Sequence, residues 1–147
     1  MAACTFFGHR DCPEDVRPQV RETVARLIEE HGVDMFYVGN HGRFDAIVRS
    51  VLREAARQYP HIRYAVVLSA MPKGHEETSD TMLPEGIEAI HPRYAIDWRN
   101  NWMLRRSDYV VTCVSRTWGG AAKWADRAKK AGKYLIPLGE QLTLSRG

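Results

Sequence analysis

The chain has 147 residues, enough for a single domain with a proper core, and its 44% hydrophobic and 27% charged content is that of a soluble globular protein. No apolar run approaches the ~20 residues of a membrane span, and residues 3–7 are too short an apolar stretch for a secretory signal; a cytoplasmic protein without a membrane partner is expected. The net charge of +3, with basic pairs scattered along the chain (Arg105 with Arg106, Lys129 with Lys130), gives no nucleic-acid footprint and is compatible with small anionic ligands.

Residues 3–7 read as a first strand, followed by the loop Gly8-His9-Arg10-Asp11-Cys12-Pro13. Pro13 suits a first helical position, and Val16, Val20, Val24, Leu27 and Ile28 give the helix after it an apolar stripe that Gly32 ends. Residues 35–38 form a second strand, 39–43 a turn, and Phe44, Ile47, Val48, Val51, Leu52 and Ala55 a second helical stripe closed by Pro60. Residues 64–68 are apolar throughout, as a strand covered on both faces should be. Residues 69–93 show little periodicity and read as a long loop over a site or an interface, with a short strand at 87–90. A helix over 94–107, a strand over 109–114, a helix over 119–131 and a strand over 134–137 complete the pattern. In the last helix Ala121, Ala122, Trp124, Ala125 and Ala128 face inward. Residues 1–139 make the domain and 140–147 a surface tail.

Alternating strands and helices predict an α/β domain with a mainly parallel sheet of about five strands and helices on both faces. Ligands bind such sheets beyond the carboxyl ends of the strands, where the connections reverse direction. Three loops leave those ends with suitable chemistry: residues 8–11, 39–45 and 115–120. The pair Gly119-Gly120 stands between a strand and a helix, where it permits close backbone approach and leaves helix N–H groups open to an anion. The alternative reading is a tight strand-to-helix turn whose glycines serve packing only.

Gly39 and Gly42 flank Asn40, which could bond a ligand or adopt a left-handed turn, and Asp45 either caps the second helix or contacts a ligand. His9 and Arg10 follow the first strand; Arg10 could pair with a phosphate, or with Asp11 or Asp15. Ser115 and Thr117 offer hydroxyls, and Trp118 a face on which a base could stack. From spacing alone, Arg99 and Asn100 belong on the surface of the third helix. The dinucleotide fingerprint, the P-loop and the Gly-x-Ser-x-Gly elbow are all absent. Cys4, Cys12 and Cys113 are odd in number and widely spaced, which makes neither a disulfide framework nor a zinc motif. No metal and no resident cofactor is expected.

In order, Phe7-Gly8-His9-Arg10, Tyr37-Val38-Gly39 with Gly42 and Asp45, Tyr94 to Asn100 with Trp102-Met103, Ser107-Asp108 and Gly119-Gly120 form a set spanning nearly the whole chain. That set resembles the YpsA-like branch of the SLOG superfamily, which is related to the LOG phosphoribohydrolases and the Smf-type DNA-processing proteins. The resemblance implies a Rossmann-like domain holding a nucleotide-derived ligand such as ADP-ribose, cyclic ADP-ribose or a related signalling nucleotide, with Arg99 and Asn100 among its contacts. It also implies a homodimer or higher homo-oligomer. The LOG enzymes carry Pro-Gly-Gly-x-Gly-Thr-x-x-Glu at the last helix. Here Trp118 replaces Pro, Ala122 the third Gly and Lys123 the Thr, while Asp126 stands for Glu. A carboxylate one methylene shorter is set back from the reacting atoms, and misplacement by about 1 Å can cost ~100-fold in rate. Sensing or sequestration is therefore expected, with Lys123 beside a phosphate. The alternative is hydrolysis of a nucleotide N-glycosidic bond assisted by Asp126 or Asp45, and a DNA-binding role is disfavoured by the scattered basic residues.

Overall fold

The computed structural model describes residues 2–72 and 78–138; the tail at 140–147 lies outside them. Strands β1 (Ala2–Gly8), β2 (Val33–Val38), β3 (Arg63–Val67), β4 (Thr81–Met82), β5 (Tyr109–Cys113) and β6 (Tyr134–Pro137) pair in the order β4-β3-β2-β1-β5-β6. Every pairing is parallel. Helices α1 (Arg17–His31), α2 (Gly42–Gln58), α3 (Pro92–Arg105) and α4 (Gly120–Lys130) connect them. The chain runs outward from β1 to β4 and then returns to lay β5 on the other side of β1. The strand order therefore reverses between β1 and β5, which opens a crevice at their carboxyl ends.

Alternation along β1 sorts the core into two layers. Cys4 and Phe6 pack with the apolar stripes of α1 and α2, and Phe6 stacks on Phe36 of β2. Phe7 faces the opposite layer with Met103 and Leu104 of α3 and Trp124 and Ala128 of α4, stacking on Trp124. Between them Thr5 is fully buried, its hydroxyl donating to the Tyr37 carbonyl.

Several boundaries differ from the sequence expectation, and three of them have a clear local reason. Residues 13–16 do not open α1: Pro13 precedes a 3-10 turn, Glu14–Val16, and the α-helix begins at Arg17. Pro18 enforces this, because proline fits only the first turn of a helix. Helix α3 starts at Pro92, two residues early, because the His91 imidazole accepts from the Arg93 N–H and caps it.

The short strand within 69–93 is β4, not 87–90, so among the described residues the sheet has six strands rather than about five. Residues Ile87–Ala89 form a 3-10 turn entered through Gly86 at φ 96°. The outer edge of β3 is paired instead through Val66 N–H to the Asp80 carbonyl and Leu68 N–H to the Met82 carbonyl. Arg49, Tyr64 and Thr78 hold the Asp80 carboxylate, fixing that segment and keeping its pKa well below the usual range against the opposing effect of burial.

Candidate functional site

The crevice between β1 and β5 opens into a cavity of about 460 Å³ lined by the loops after β1, β2 and β5 together with α3 and α4. Glycine lets these elements meet. A Cβ on Gly8 would lie 2.3 Å from the Phe44 ring, so α2 can seat against the end of β1 only above a glycine. Gly42, at φ +88°, packs on the Arg10 backbone, and the Arg43 N–H donates to the Arg10 carbonyl. The first two loops are thereby locked together.

Arg99 is 2% exposed and forms the hub of this locked region. Its Nη1 donates to the Val67 carbonyl at 2.7 Å and to Asn40 Oδ1 at 3.1 Å, and its Nε to Asn100 Oδ1 at 2.8 Å. Nη2 lies 3.1 Å from His41 Nδ1. A guanidinium has no acceptor, so His41 accepts there and carries its proton on Nε2. Burial, then the nearby Arg99 and Arg10 charges, depress the His41 pKa and keep the ring neutral. The surface position expected for Arg99 from spacing is therefore corrected. Its acceptors come from β3, from the loop after β2 and from the next residue of α3, and no local pattern announces the first two.

Asp45 stands beside this hub and accepts the His41 N–H at 2.9 Å. It keeps part of its surface open to the cavity, but the protein around the carboxyl raises its pKa to about 6. The His41 hydrogen bond and the Arg99 and Arg10 charges oppose that rise without cancelling it. Gly39 separates the two groups: a Cβ there would meet Asp45 Oδ2 at 2.8 Å and Arg99 Cζ at 3.0 Å.

Unpartnered buried nitrogens gather on the β1/β5 side. His9 is buried, yet its Nε2 has no hydrogen-bond partner, and the same holds for Arg116 Nε. Burial, followed by the Arg116 charge, lowers the His9 pKa. Arg116 reaches Asp11 through Nη1 at 3.3 Å and lies over the Trp118 ring at 4.5 Å. Gly119, at φ +98°, caps α4 without any side-chain bond, leaving the first-turn N–H groups of the helix open where Gly120 and Ala121 line the cavity. Buried donors without acceptors are rare in folded proteins. Arg116 Nε, which can only donate, suits a ligand rich in acceptor oxygens at this open cavity, and the helix terminus favours negative charge.

Gly8, His9, Arg10, Gly39, Asp45, Arg99, Asn100 and Gly120 all line this cavity. Asn40 and Gly42 line a smaller groove that shares Gly39 and Asp45 with it. Arg10 makes no ion pair among the described residues; the bridge to Asp11 goes to Arg116 instead. Ser115, Thr117, Trp118, Gly119, Lys123 and Asp126 line a second groove of about 770 Å³ that shares Arg116 with the cavity. Lys123 is tied to Asp97 at 2.7 Å, and Asp126 is exposed and paired with Lys130 at 3.0 Å. His41 and Arg116 were not singled out from the sequence, although both fall inside the loops that were. Their significance lies in what they touch, which spacing does not reveal. Among the described residues no group of His, Cys, Asp and Glu could hold a metal ion, and no helix is long and apolar enough to cross a membrane.

An all-parallel sheet with this strand order, and a glycine-bounded cavity at its reversal, defines a Rossmann-like domain. No protein-family model matches the chain, and no curated protein sequence matches it significantly. Among solved structures, DNA processing protein A (DprA) from Streptococcus pneumoniae is similar over 93% of this chain, with a TM-score of 0.68 and 15% identity. The molybdenum cofactor carrier protein MCP from Chlamydomonas reinhardtii is similar over 93% of it, with a TM-score of 0.62 and 16% identity. The chain spans 50% of the DprA chain and 76% of the carrier chain. At these identities the likeness is one of fold.

Proposed function

We propose that the domain holds a nucleotide-derived anion, of the ADP-ribose, cyclic ADP-ribose or signalling-nucleotide kind, in the β1/β5 cavity and does so without turnover. The observation that carries this reading is the pair of buried, unpartnered nitrogens, His9 Nε2 and the obligate donor Arg116 Nε, on the wall that also presents the open N-terminus of α4. The volume, about 460 Å³, lies within the ~300–1,000 Å³ range of small-molecule sites. Support also comes from a neighbour of this fold whose name describes it as a cofactor carrier. Sensing or sequestration requires no acid or base, and Asp126, which stands where the LOG enzymes have Glu, lines the second groove.

Asp45 favours a second reading. A cavity carboxyl with a pKa near 6 could exchange protons at neutral pH and assist water in cleaving an N-glycosidic bond. Titration calorimetry with ADP-ribose separates the two readings when wild type, Asp126→Asn and Arg99→Met are compared alongside chromatography of the ligand. The binder reading expects Asp126→Asn to keep the wild-type affinity, Arg99→Met to lose at least tenfold, and the ligand to stay intact. Release of a free base by wild type would overturn it. The nucleic-acid reading is tested in the same series: salt-sensitive binding of oligonucleotides would replace the small-molecule proposal.

A further inference from the structure

Two of the three cysteines, 101 residues apart in the chain, meet at the rim of the crevice. Parallel pairing sets Gly8 of β1 opposite Cys113, the last residue of β5. The loop after β1 then turns back, with the Cys12 N–H donating to the His9 carbonyl, and returns Cys12 over the strand end. Cys12 Sγ and Cys113 Sγ are 2.6 Å apart. A disulfide bond is ~2.05 Å long, so closing it requires only a small displacement. We propose that Cys12 and Cys113 are a hydroperoxide-reactive thiol pair that forms a reversible intramolecular disulfide, fastening the β1–α1 loop to the end of β5.

The two thiols have different roles. Cys113 is part-exposed, whereas Cys12 is 3% exposed. The Cys12 S–H favours the Cys113 thiolate and holds that pKa below its ordinary value, while the Cys12 pKa is pushed up. Cys113 is therefore the group that meets the oxidant, since the thiolate is the nucleophile. Its sulfur attacks the terminal oxygen of a hydroperoxide. An S–O bond forms, the O–O bond breaks, and the departing oxygen leaves as the alcohol, or as water when the oxidant is hydrogen peroxide. The Cys12 sulfur then attacks the sulfenic sulfur, forming the S–S bond and expelling hydroxide, which takes the Cys12 proton and leaves as water. The two thiols supply two electrons and the peroxide is reduced by two; a small dithiol reverses the change. Cys4 is fully buried and its pKa is pushed up by burial, so it stays outside the reaction.

Closing this bond restrains both segments that carry the unpartnered nitrogens, His9 directly after β1 and Arg116 three residues beyond β5. The chemistry itself does not depend on what the cavity binds. The full chain is treated with equimolar hydrogen peroxide, denatured, blocked with a maleimide and measured as intact mass, then digested to map the link. The expected product is monomeric, lacks two hydrogens, takes one maleimide at Cys4, and yields a peptide pair joined through Cys12 and Cys113; the untreated protein takes three. Cys4→Ser must still form the link, and both Cys12→Ser and Cys113→Ser must lose it. Cys12→Ser must also accumulate a dimedone-reactive sulfenic acid at Cys113. Three free thiols after treatment, a link involving Cys4, or a link only between chains would overturn the proposal. If the serine variants do not fold, the mapped link in wild type decides alone.

Discussion

Arg99 carries more of the local structure than any other polar side chain at the crevice. Its guanidinium satisfies Val67, Asn40, Asn100 and His41 in one place. Removing it strands several of these groups, and unsatisfied buried polar atoms cost roughly 1–3 kcal/mol each, only partly additively. Arg99→Met is predicted to lower the unfolding free energy by about 2–4 kcal/mol in urea titration. Arg99→Lys should recover little of it, because a lone ammonium cannot reproduce the planar fork.

Asp45 gives a pH signature with a definite sign. Its folded-state pKa of about 6 lies above its ordinary 3.8, so the folded state favours the proton. That contribution is complete below about pH 4 and is lost as pH rises through about 6, by at most about 3 kcal/mol. Asp45→Asn cannot ionise. Its stability relative to wild type should therefore climb by up to about 3 kcal/mol between about pH 4 and about pH 8, whereas a flat difference would contradict the burial of this carboxyl. Taking the difference matters because His9 and His41, both with lowered pKa values, act in the opposite sense and destabilise both proteins as pH falls.

At the scale of elements, glycines separate close packing from open space. A Cβ at Gly39 would press on Asp45 and Arg99, and Gly119 holds φ +98° where a side chain is strained, whereas a Cβ at Gly120 meets nothing within 4 Å. Gly39→Ala is predicted to destabilise by about 1–3 kcal/mol, in the range of overpacked sites. Gly120→Ala should be neutral or stabilising by up to about 1 kcal/mol. Thermal melts of the two variants test this contrast. The helices with strong apolar stripes, α1 and α2, and the apolar strands were legible in the sequence because their periodicity is long enough to register. A two-residue strand such as β4 has no period to read, and its place is set by Asp80 and the exposed edge of β3. The entry to α3 was obscured by an unusual histidine cap, and the entry to α1 by Pro18 overriding Pro13.

At the scale of the whole molecule, the reversal of strand order between β1 and β5 puts the three glycine-bearing loops around one cavity. That convergence was legible because it follows from alternating strands and helices alone. The partition of the third loop was not: Ser115, Thr117, Trp118 and Lys123 turn to the second groove, Gly120 reaches the cavity, and Arg116 borders both. Adjacent residues in a loop point to different sides, and only the fold determines which. A cavity that binds a ligand in the folded state alone must also stabilise it by mass action, by about 2.7 kcal/mol at a hundredfold excess over Kd. The melting temperature should thus rise with the concentration of a true ligand and stay fixed with a non-binding nucleoside. The most direct test of the central claim is to incubate the protein with NAD, ADP-ribose, cyclic ADP-ribose isomers, nucleoside monophosphates and cyclic dinucleotides, remove the unbound fraction, denature the protein and separate what it releases. The account predicts that one nucleotide is retained and recovered intact. A free base with ribose phosphate in the flow-through, or no retention of any member, would contradict it.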